Sequence, residues 1–171
     1  MLDQQGQSVY KILTVITYSF LVIAPAIYLG LAYFMLKEPL EHLPDNEMMK
    51  YMLLAVSVVT PALFYPIKRF QKAAFRKNPN MGGGPPKMSL SPGKPVVASG
   101  PAGFAMTINI VSMATIEAVY VFGFMTYIMT YEIDTMLLFY VIGIAWSVFR
   151  WPTRSRFEKL VEELSAYGKT G

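Results

Sequence analysis

One carboxylate, Glu117, stands near the centre of the apolar stretch MATIEAVYVFGFMTYIM at residues 113–129. A charged side chain at the centre of a bilayer costs at least ~2.5–3.5 kcal/mol on insertion scales. A neutral acid costs less and can donate a hydrogen bond. Acids in such positions serve as proton or cation sites in pumps and transporters, and the alternative is a hydrogen bond that locks helix packing. The stretch therefore predicts either an ion-binding group or a structural one.

The groups that can pair with Glu117 are hydroxyls and free backbone carbonyls. No other acidic or basic side chain lies in the interior of an apolar segment, so this chain by itself offers no ion pair, carboxylate relay or acid–base pair for catalysis. The available groups are the carbonyls freed by Pro25 or Pro61 and the hydroxyls of Tyr28, Tyr120 and Ser147. From these we predict an ion-binding set of Glu117, Tyr120 and Tyr28.

Other residue types exclude several classes of site. The chain has no cysteine, which excludes disulfides, thiolate metal sites and a cysteine nucleophile. Its one histidine, His42, cannot form a histidine metal cluster or a bis-histidine haem site. Because His42 lies beside Glu41 in an acidic segment, a solvated loop histidine is favoured over a proton donor at a quinone site. We expect no catalytic residues and no cofactor held covalently or by metal ligands; contact with a lipid or a quinone stays open.

The elements that would position Glu117 are membrane-spanning helices. Of the 171 residues, 54% are hydrophobic and 15% are charged, with a mean hydropathy of +0.39, which is more apolar than an ordinary soluble domain. A helix needs ~20 apolar residues to cross a bilayer. Four segments could do so, at 9–35, 48–67, 104–130 and 135–151, and the last is near the short end of the range. The N-terminal MLDQQGQ has no basic region and precedes an apolar run longer than the ~7–15 residues of a signal peptide, so we expect a span rather than a leader.

The charges between these segments predict the orientation. Basic residues occupy the connection after the second segment, at Lys68, Arg69, Lys72, Arg76, Lys77, Lys87 and Lys94, and the chain after the fourth, at Arg150, Arg154, Arg156 and Lys159. The other two connections are acidic. Because basic segments stay in the cytoplasm, we predict an all-α polytopic membrane protein with four transmembrane helices in two hairpins and both termini cytoplasmic.

The chain end is predicted to form an amphipathic C-terminal helix. Its apolar residues Phe157, Leu160, Val161 and Leu164 recur at helical spacing, with charged residues between them. Such a helix lies on the inner leaflet or docks onto a partner subunit. The predicted surface for lipid headgroups or partners consists of Lys68, Arg69, Lys72, Arg76, Lys77, Arg154, Arg156 and Lys159.

The predicted organisation has four parts: a first hairpin with a basic amphipathic extension at 1–77, a Gly/Pro/Ser-rich cytoplasmic linker at 78–103, a second hairpin at 104–152 and a basic amphipathic tail at 153–171. The GGG at residues 82–84 of the linker is not a phosphate-binding loop, because no GK[ST] follows at the required spacing and no strand precedes it. The linker is therefore interpreted as an irregular connection.

The sequence IEAVYVFGFM around Glu117 resembles the acidic helix of the proteolipid c subunits of rotary ATPases. In those proteins a mid-membrane carboxylate is followed by small or aliphatic residues, an aromatic residue and a glycine, and Glu117, Ala118, Phe122 and Gly123 match this pattern. The resemblance implies that Glu117 binds and releases H⁺ or Na⁺, with spans 48–67 and 104–130 as the c-like hairpin. Span 48–67 departs from the family because it has no glycine, whereas the inner helices of those rings are glycine-rich.

These observations favour a non-catalytic integral membrane subunit of a larger, bioenergetic membrane complex, in which Glu117 is structural or proton-binding. The alternatives are a c-like subunit that translocates H⁺ or Na⁺ and a small quinone-binding or lipid-binding membrane protein. The expected partners are membrane lipids and other integral membrane subunits, in the bacterial inner membrane or an equivalent energy-transducing membrane. Nucleic-acid binding is not expected, because the basic residues lie beside the ends of spans, where topology requires them.

Overall fold

The computed structural model describes residue 2 and residues 4–35, 47–78 and 100–167. Within these ranges the regular structure is entirely helical, in six α-helices and one π-helical turn. They are α1 at Gln4–Tyr18, the π turn at Ser19–Ile23, α2 at Ala24–Met35, α3 at Glu47–Lys77, α4 at Gly100–Thr130, α5 at Ile133–Arg150 and α6 at Arg154–Tyr167. His42 and residues 79–99 of the predicted linker lie outside the described residues. The predicted end of the linker at residue 103 is wrong, because α4 already begins at Gly100.

The all-α class and the four apolar helices predicted from the sequence are confirmed. Four helical segments are long and apolar enough to cross a membrane, at Gln4–Phe34, Glu47–Lys77, Gly100–Thr130 and Ile133–Arg150. At 1.5 Å per residue, the 31 residues of α3 extend about 46 Å, which exceeds the ~30 Å hydrocarbon core. The basic residues after position 67 therefore continue the helix beyond its apolar part.

The outer surface of these helices is apolar. Exposed fractions reach 67% for Phe34, 76% for Phe70 and 73% for Val148. A soluble monomer rarely exposes contiguous apolar surface on this scale. Such side chains are stable in contact with lipid tails or with the helices of another protein, as expected of a membrane protein.

Pro25 explains the π turn inside the first span. Proline has no N–H and its ring clashes with the carbonyl four residues earlier, here that of Leu21. The chain accommodates this by a wider turn, in which the N–H of Ala24 donates to the carbonyl oxygen of Ser19, five residues back. The helix is re-formed rather than broken, so α1, the π turn and α2 make one continuous helical segment.

Contacts divide the described residues into two compact units. The first unit comprises the described residues of Met1–Thr17, Tyr65–Val111 and Pro152–Gly171. The second unit comprises those of Tyr18–Phe64 and Ser112–Trp151. Glu117 and its neighbours belong to the second unit, whereas the predicted basic surface belongs to the first.

In the first unit, α6 packs its apolar face onto the protein itself. Phe157, Leu160 and Leu164 are at most 7% exposed. The Phe157 ring lies 5.6 Å from the ring of Tyr10, whose hydroxyl donates to the Pro152 carbonyl at 3.2 Å. The predicted amphipathic helix is therefore present, but the apolar face expected on the leaflet or on a partner is already buried by residues of the same chain.

Charged contacts hold the outer side of α6 to the end of α3. The Lys72 ammonium donates to both carboxylate oxygens of Glu163 at 2.6 Å. The hydroxyl of Tyr167 also donates to Glu163, and the Arg76 guanidinium lies 5.9 Å from the centre of the Tyr167 ring. The hydrogen bond from Lys72 is the main reason why the pKa of Glu163 lies below that of an ordinary glutamate.

In the second unit, two glycines allow α4 and α5 to approach closely. A Cβ atom added to Gly123 would lie 2.7 Å from the Cβ of Phe139, and one added to Gly143 would lie 2.6 Å from a ring carbon of Tyr120. These distances are shorter than a van der Waals contact, so neither position accepts a side chain without a shift. Small residues at helix contacts are a general device of membrane proteins.

The connection between α4 and α5 is short and polar. Tyr131 adopts a left-handed conformation with φ of 56°. Glu132 then accepts a hydrogen bond from the hydroxyl of Thr135 at 2.6 Å and pairs with Lys50 of α3. The bond from Lys50, followed by that from Thr135, holds the pKa of Glu132 below its usual value. The N-terminal end of α3, where Lys50 lies, is thereby attached to the α4–α5 turn.

The close contact of Gly143 with Tyr120 predicts that two Gly→Ala substitutions change the free energy of unfolding differently. Gly143→Ala forces the buried Tyr120 ring to move, and we expect a loss of about 1–3 kcal/mol in the free energy of unfolding. Gly30→Ala is the control, because no atom lies within 4 Å of the added methyl group and alanine favours the helix by about 0.5–1 kcal/mol. Reversible denaturation in detergent micelles measures both, and equal effects at the two sites would contradict the close contact.

The Lys72–Glu163 pair predicts that α6 is attached less firmly in acid. A lowered carboxyl pKa stabilises the folded form above the unfolded pKa of about 4.3, and this stabilisation is lost as the pH falls through the lower folded value. Both groups are partly exposed, so we expect less than about 1 kcal/mol. Spin labels on cysteines at positions 69 and 159 of this cysteine-free chain would report the distance between α3 and α6. A Glu163→Gln chain should lack this component of the pH dependence; an identical acid response in both chains would contradict the assignment.

Candidate functional site

One face of α2 receives polar contacts from α4 and α5. The contacting positions, 25, 28 and 32, follow one another at intervals of three and four residues, which places them on the same face. The contacts are a 3.0 Å hydrogen bond from the Tyr140 hydroxyl to the Pro25 carbonyl, a 3.3 Å bond from the Tyr28 hydroxyl to Glu117 Oε1 and a 3.1 Å bond from the Tyr127 hydroxyl to the Ala32 carbonyl. The acid is thus one member of a polar seam between apolar helices.

The Tyr28–Glu117 pair is the centre of the candidate site. The Tyr28 ring stacks on Phe124 with a centroid distance of 5.6 Å and an interplanar angle of 20°. Because Phe124 lies seven residues after Glu117, both occupy the same face of α4. The stacked ring therefore directs the Tyr28 hydroxyl towards the carboxyl group, and the sequence-based pairing of Tyr28 with Glu117 appears in the structure as this one hydrogen bond.

Glu117 is only partly enclosed. Its side chain is half-buried, and among the described residues its hydrogen bonding is limited to Oε1 and Tyr28. The second oxygen, Oε2, has no hydrogen-bond partner in the part of the chain that the structure describes, so it can hold a proton or accept from a further donor. One carboxyl and one hydroxyl suit a proton better than a metal cation, since hard cations are held by several oxygen ligands.

Tyr120 makes a different contact from the one predicted. Its hydroxyl lies 3.0 Å from Ser147 Oγ, and Ser147 donates in turn to the Gly143 carbonyl at 2.8 Å. With the serine proton used in that way, Tyr120 donates to Ser147. The Tyr120 ring meets Tyr140 edge-on at 5.1 Å. Tyr120 and Ser147 therefore join α4 to α5, and the structure does not bring them to Glu117.

Sequence reasoning missed Tyr127 and Tyr140 as members of the seam. Both rings are at most 5% exposed, and both hydroxyls bond to backbone carbonyls of α2. A signal was present, because a tyrosine in an apolar span must place its hydroxyl on some acceptor. The carbonyl of Pro25, considered as a partner for Glu117, is instead the acceptor for Tyr140.

The predicted basic surface is partly neutralised inside the chain. Lys72 pairs with Glu163, Arg154 pairs with Glu158 at 3.1 Å, and Arg76 lies over the Tyr167 ring. Of the eight predicted positions, Lys68 and Lys72 are half-buried and the other six are exposed: Arg69, Arg76, Lys77, Arg154, Arg156 and Lys159. This surface therefore contains acids as well as bases.

The chain matches no family model, no curated protein and no solved structure at a significant level. The resemblance of residues 117–123 to rotary c subunits stays a prediction from the sequence. In the part of the chain that the structure describes, no cluster of three or more histidine or acidic side chains could hold a metal ion. The candidate site is thus defined by its own geometry, a half-buried carboxyl with a single hydroxyl donor.

The seam predicts that Tyr28 and Glu117 are energetically coupled. In a double-mutant cycle of Tyr28→Phe and Glu117→Gln, we expect a coupling of about 0.6 kcal/mol and at most about 1.7, as for other hydrogen bonds between membrane helices. Tyr127→Phe is the matched control, because it also removes a hydroxyl bound to α2 but one that bonds to Ala32 instead of Glu117. Unfolding in mixed micelles gives both couplings; a coupling with Tyr127 as large as that with Tyr28 would contradict a direct bond.

Proposed function

We propose that this chain is a non-catalytic integral membrane subunit of a larger membrane complex, in which Glu117 holds a proton or a hydrogen bond at the contact with another subunit. The four apolar helices would form two hairpins with both termini in the cytoplasm. An energy-transducing membrane, such as a bacterial inner membrane, is the proposed location. The proposal rests on one observation, the incomplete burial of Glu117, whose Oε2 has no hydrogen-bond partner among the described residues.

The position of Glu117 along α4 makes its exposure expensive. About 20 Å of helix separate it from the end of α4 at Thr130, which places it deep in the bilayer if α4 crosses it. A carboxyl group that faces lipid at that depth has no water to replace the missing hydrogen bond at Oε2. A partner helix that supplies a donor would remove this penalty, and this is why we infer a complex.

The surface around Glu117 supports the contact with a helix. Ala114 is exposed and Ala118 is half-buried, and both adjoin Glu117 on α4. Small residues four apart allow two helix backbones to approach closely in a membrane. Met125 is also exposed, at 46%, farther along this helix. This face of α4 thus carries the polar Glu117 beside small side chains that leave room for a partner helix.

The proposed orientation is supported by charge. The α3 helix ends with Arg76 and Lys77, and α6 begins with Arg154. The α4–α5 turn carries Glu132. Basic residues at the end of α3 and at the start of α6 are what the positive-inside rule expects of cytoplasmic ends.

A c-like ion-translocating subunit is the second candidate. The sequence pattern at residues 117–123 favours it, and a carboxyl with one open oxygen is compatible with it. The glycine of that pattern, however, already contacts Phe139 of the same chain. Gly123 is therefore not free to pack against a second copy in a ring, and we place the hetero-complex first.

Photo-crosslinking tests whether another membrane protein contacts this chain at Glu117. A benzophenone amino acid in place of Ala114, one turn from Glu117, should give a defined adduct with a different membrane protein when the tagged chain is cross-linked in native membranes. The same group in place of Val141, which is 64% exposed on α5, is the control position. Adducts at position 114 and not at position 141 would support a specific contact at the acid.

Two other results would reject the hetero-complex. Adducts between copies of this chain alone, together with carbodiimide labelling of Glu117, would favour the c-like candidate. The absence of any adduct at position 114, with the chain migrating as a monomer in mild detergent, would leave Glu117 with a structural role only. A third result would bear on proton transfer alone: normal proton-coupled activity of a complex containing Glu117→Gln would exclude proton transfer by this residue while leaving the contact intact.

A further inference from the structure

The last part of α3 has an exposed face that carries cations and one aromatic ring. This face is named the outer arc, and its residues are Arg69, Phe70, Ala73, Arg76 and Lys77, all of which are exposed. At 100° per residue the five positions fall within about 120° of the helix circumference, so they point to the same side of α3. Apart from its first residue, α3 contains no acid, so its own sequence does not neutralise this face.

The opposite face of this helix end is turned into the protein. Phe75 is 1% exposed, and its ring centre lies 4.6 Å from that of Phe104. Lys72 donates to Glu163 of α6. These contacts fix the rotation of α3 about its axis at this end, and the outer arc therefore points away from them.

Phe70 indicates the medium in which the outer arc lies. Its side chain is 76% exposed, although Lys68, Arg69 and Lys72 stand around it in the sequence. Water is a poor medium for an exposed aromatic ring, and the hydrocarbon core of a bilayer is a poor medium for the neighbouring charges. The membrane interface accommodates both, because apolar side chains enter the acyl boundary there while basic side chains meet anionic headgroups.

The position of Phe70 along α3 places it at that interface if α3 crosses the membrane. The apolar part of α3 ends at Ile67, and Phe70 lies about 4–5 Å farther along the helix axis. The headgroup region on one side of the hydrocarbon core is about 5–7 Å thick. Lys77 lies about 15 Å beyond Ile67, but helical side chains lean towards the helix N-terminus, which here is the membrane side. Long basic side chains can therefore reach back to the headgroups.

We propose that the outer arc binds the headgroups of anionic phospholipids, with the Phe70 ring inserted below the phosphates and with Arg69 and Lys77 beside them. The charges are complementary, since the arc carries cations and an anionic lipid carries a net negative charge. Lipid is favoured over an acidic segment of a partner protein, because a spanning α3 holds the arc at the level of the headgroups at all times. The inference goes beyond the proposed function and depends neither on Glu117 nor on a complex.

Brominated lipids test the proposal, because bromine on an acyl chain quenches a tryptophan close to it. Trp146→Phe and Trp151→Phe together remove both tryptophans of the chain, and Phe70→Trp then places one on the outer arc. In vesicles, its quenching is compared between phosphatidylglycerol and phosphatidylcholine at equal mole fraction, each brominated near the top of the acyl chain. We expect quenching by both lipids, with the anionic lipid enriched about fivefold for each cation within reach.

Matched variants assign the preference to the outer arc. Arg69→Gln together with Lys77→Gln should remove most of it, whereas Arg69→Lys keeps the charge and should retain it. Lys50→Gln removes one charge from the same helix, about 30 Å away at its other end, and should leave the preference unchanged. Met52→Trp in place of Phe70→Trp puts the tryptophan near that other end, at a position that is 58% exposed, and should be quenched equally by the two lipids.

A second measurement keeps both native tryptophans. A benzophenone amino acid in place of Phe70 should form more adducts with phosphatidylglycerol than with phosphatidylcholine in vesicles of equal composition, as counted by mass spectrometry. Three results would overturn the proposal: equal use of the two lipids at position 70, no contact with either lipid there, and a preference that survives neutralisation of Arg69 and Lys77. In native membranes, adducts with a protein and none with lipid would assign the outer arc to a protein partner instead.

Discussion

The structure depends on one constraint of the apolar medium, that each polar group inside the spans needs a partner within the protein. The second unit meets it with tyrosine. The hydroxyls of Tyr127 and Tyr140 donate to carbonyls of α2, and that of Tyr28 donates to Glu117. Since a phenol ring is large and apolar, each tyrosine also fills the space between helices. One residue type thus supplies both the packing and the hydrogen bonds of the seam.

Backbone irregularity and side-chain packing are linked at the same seam. Pro25 widens the preceding turn of helix, and its carbonyl accepts the hydroxyl of Tyr140. Tyr140 in turn meets Tyr120, which packs against the bare backbone of Gly143. An added methyl group at Gly143 would therefore disturb Tyr120 first and then its contact with Tyr140. The proline, the tyrosines and the glycine form one connected arrangement.

The sequence predicts the helices well and their contacts poorly, for physical reasons. Long apolar runs must be helical in a bilayer, so the four spans followed from composition. Which hydroxyl meets Glu117 depends on the rotation of each helix about its axis, and a rotation of one residue exchanges Tyr28 for another side chain. Tyr120 lies on the same helix as Glu117, so for this residue the direction of its side chain decides, and its hydroxyl meets Ser147 while only Tyr28 bonds to the acid. The apolar face of α6 likewise indicated burial but not that Tyr10 would cover it.

Glu117 differs from the other polar groups of the seam in its hydrogen bonding. Tyr120 and Ser147 satisfy one another, and Tyr127 and Tyr140 are satisfied by backbone. Glu117 has one oxygen bonded to Tyr28, and its side chain is half-buried, whereas Tyr120, Tyr127 and Tyr140 are at most 5% exposed. An acid required only for packing would be better enclosed, as those tyrosines are, because burial would remove it from lipid. Its partial exposure is therefore the feature on which the proposed contact with another subunit depends, and one carboxyl with one hydroxyl donor is the geometry from which we infer a single proton or a single hydrogen bond there.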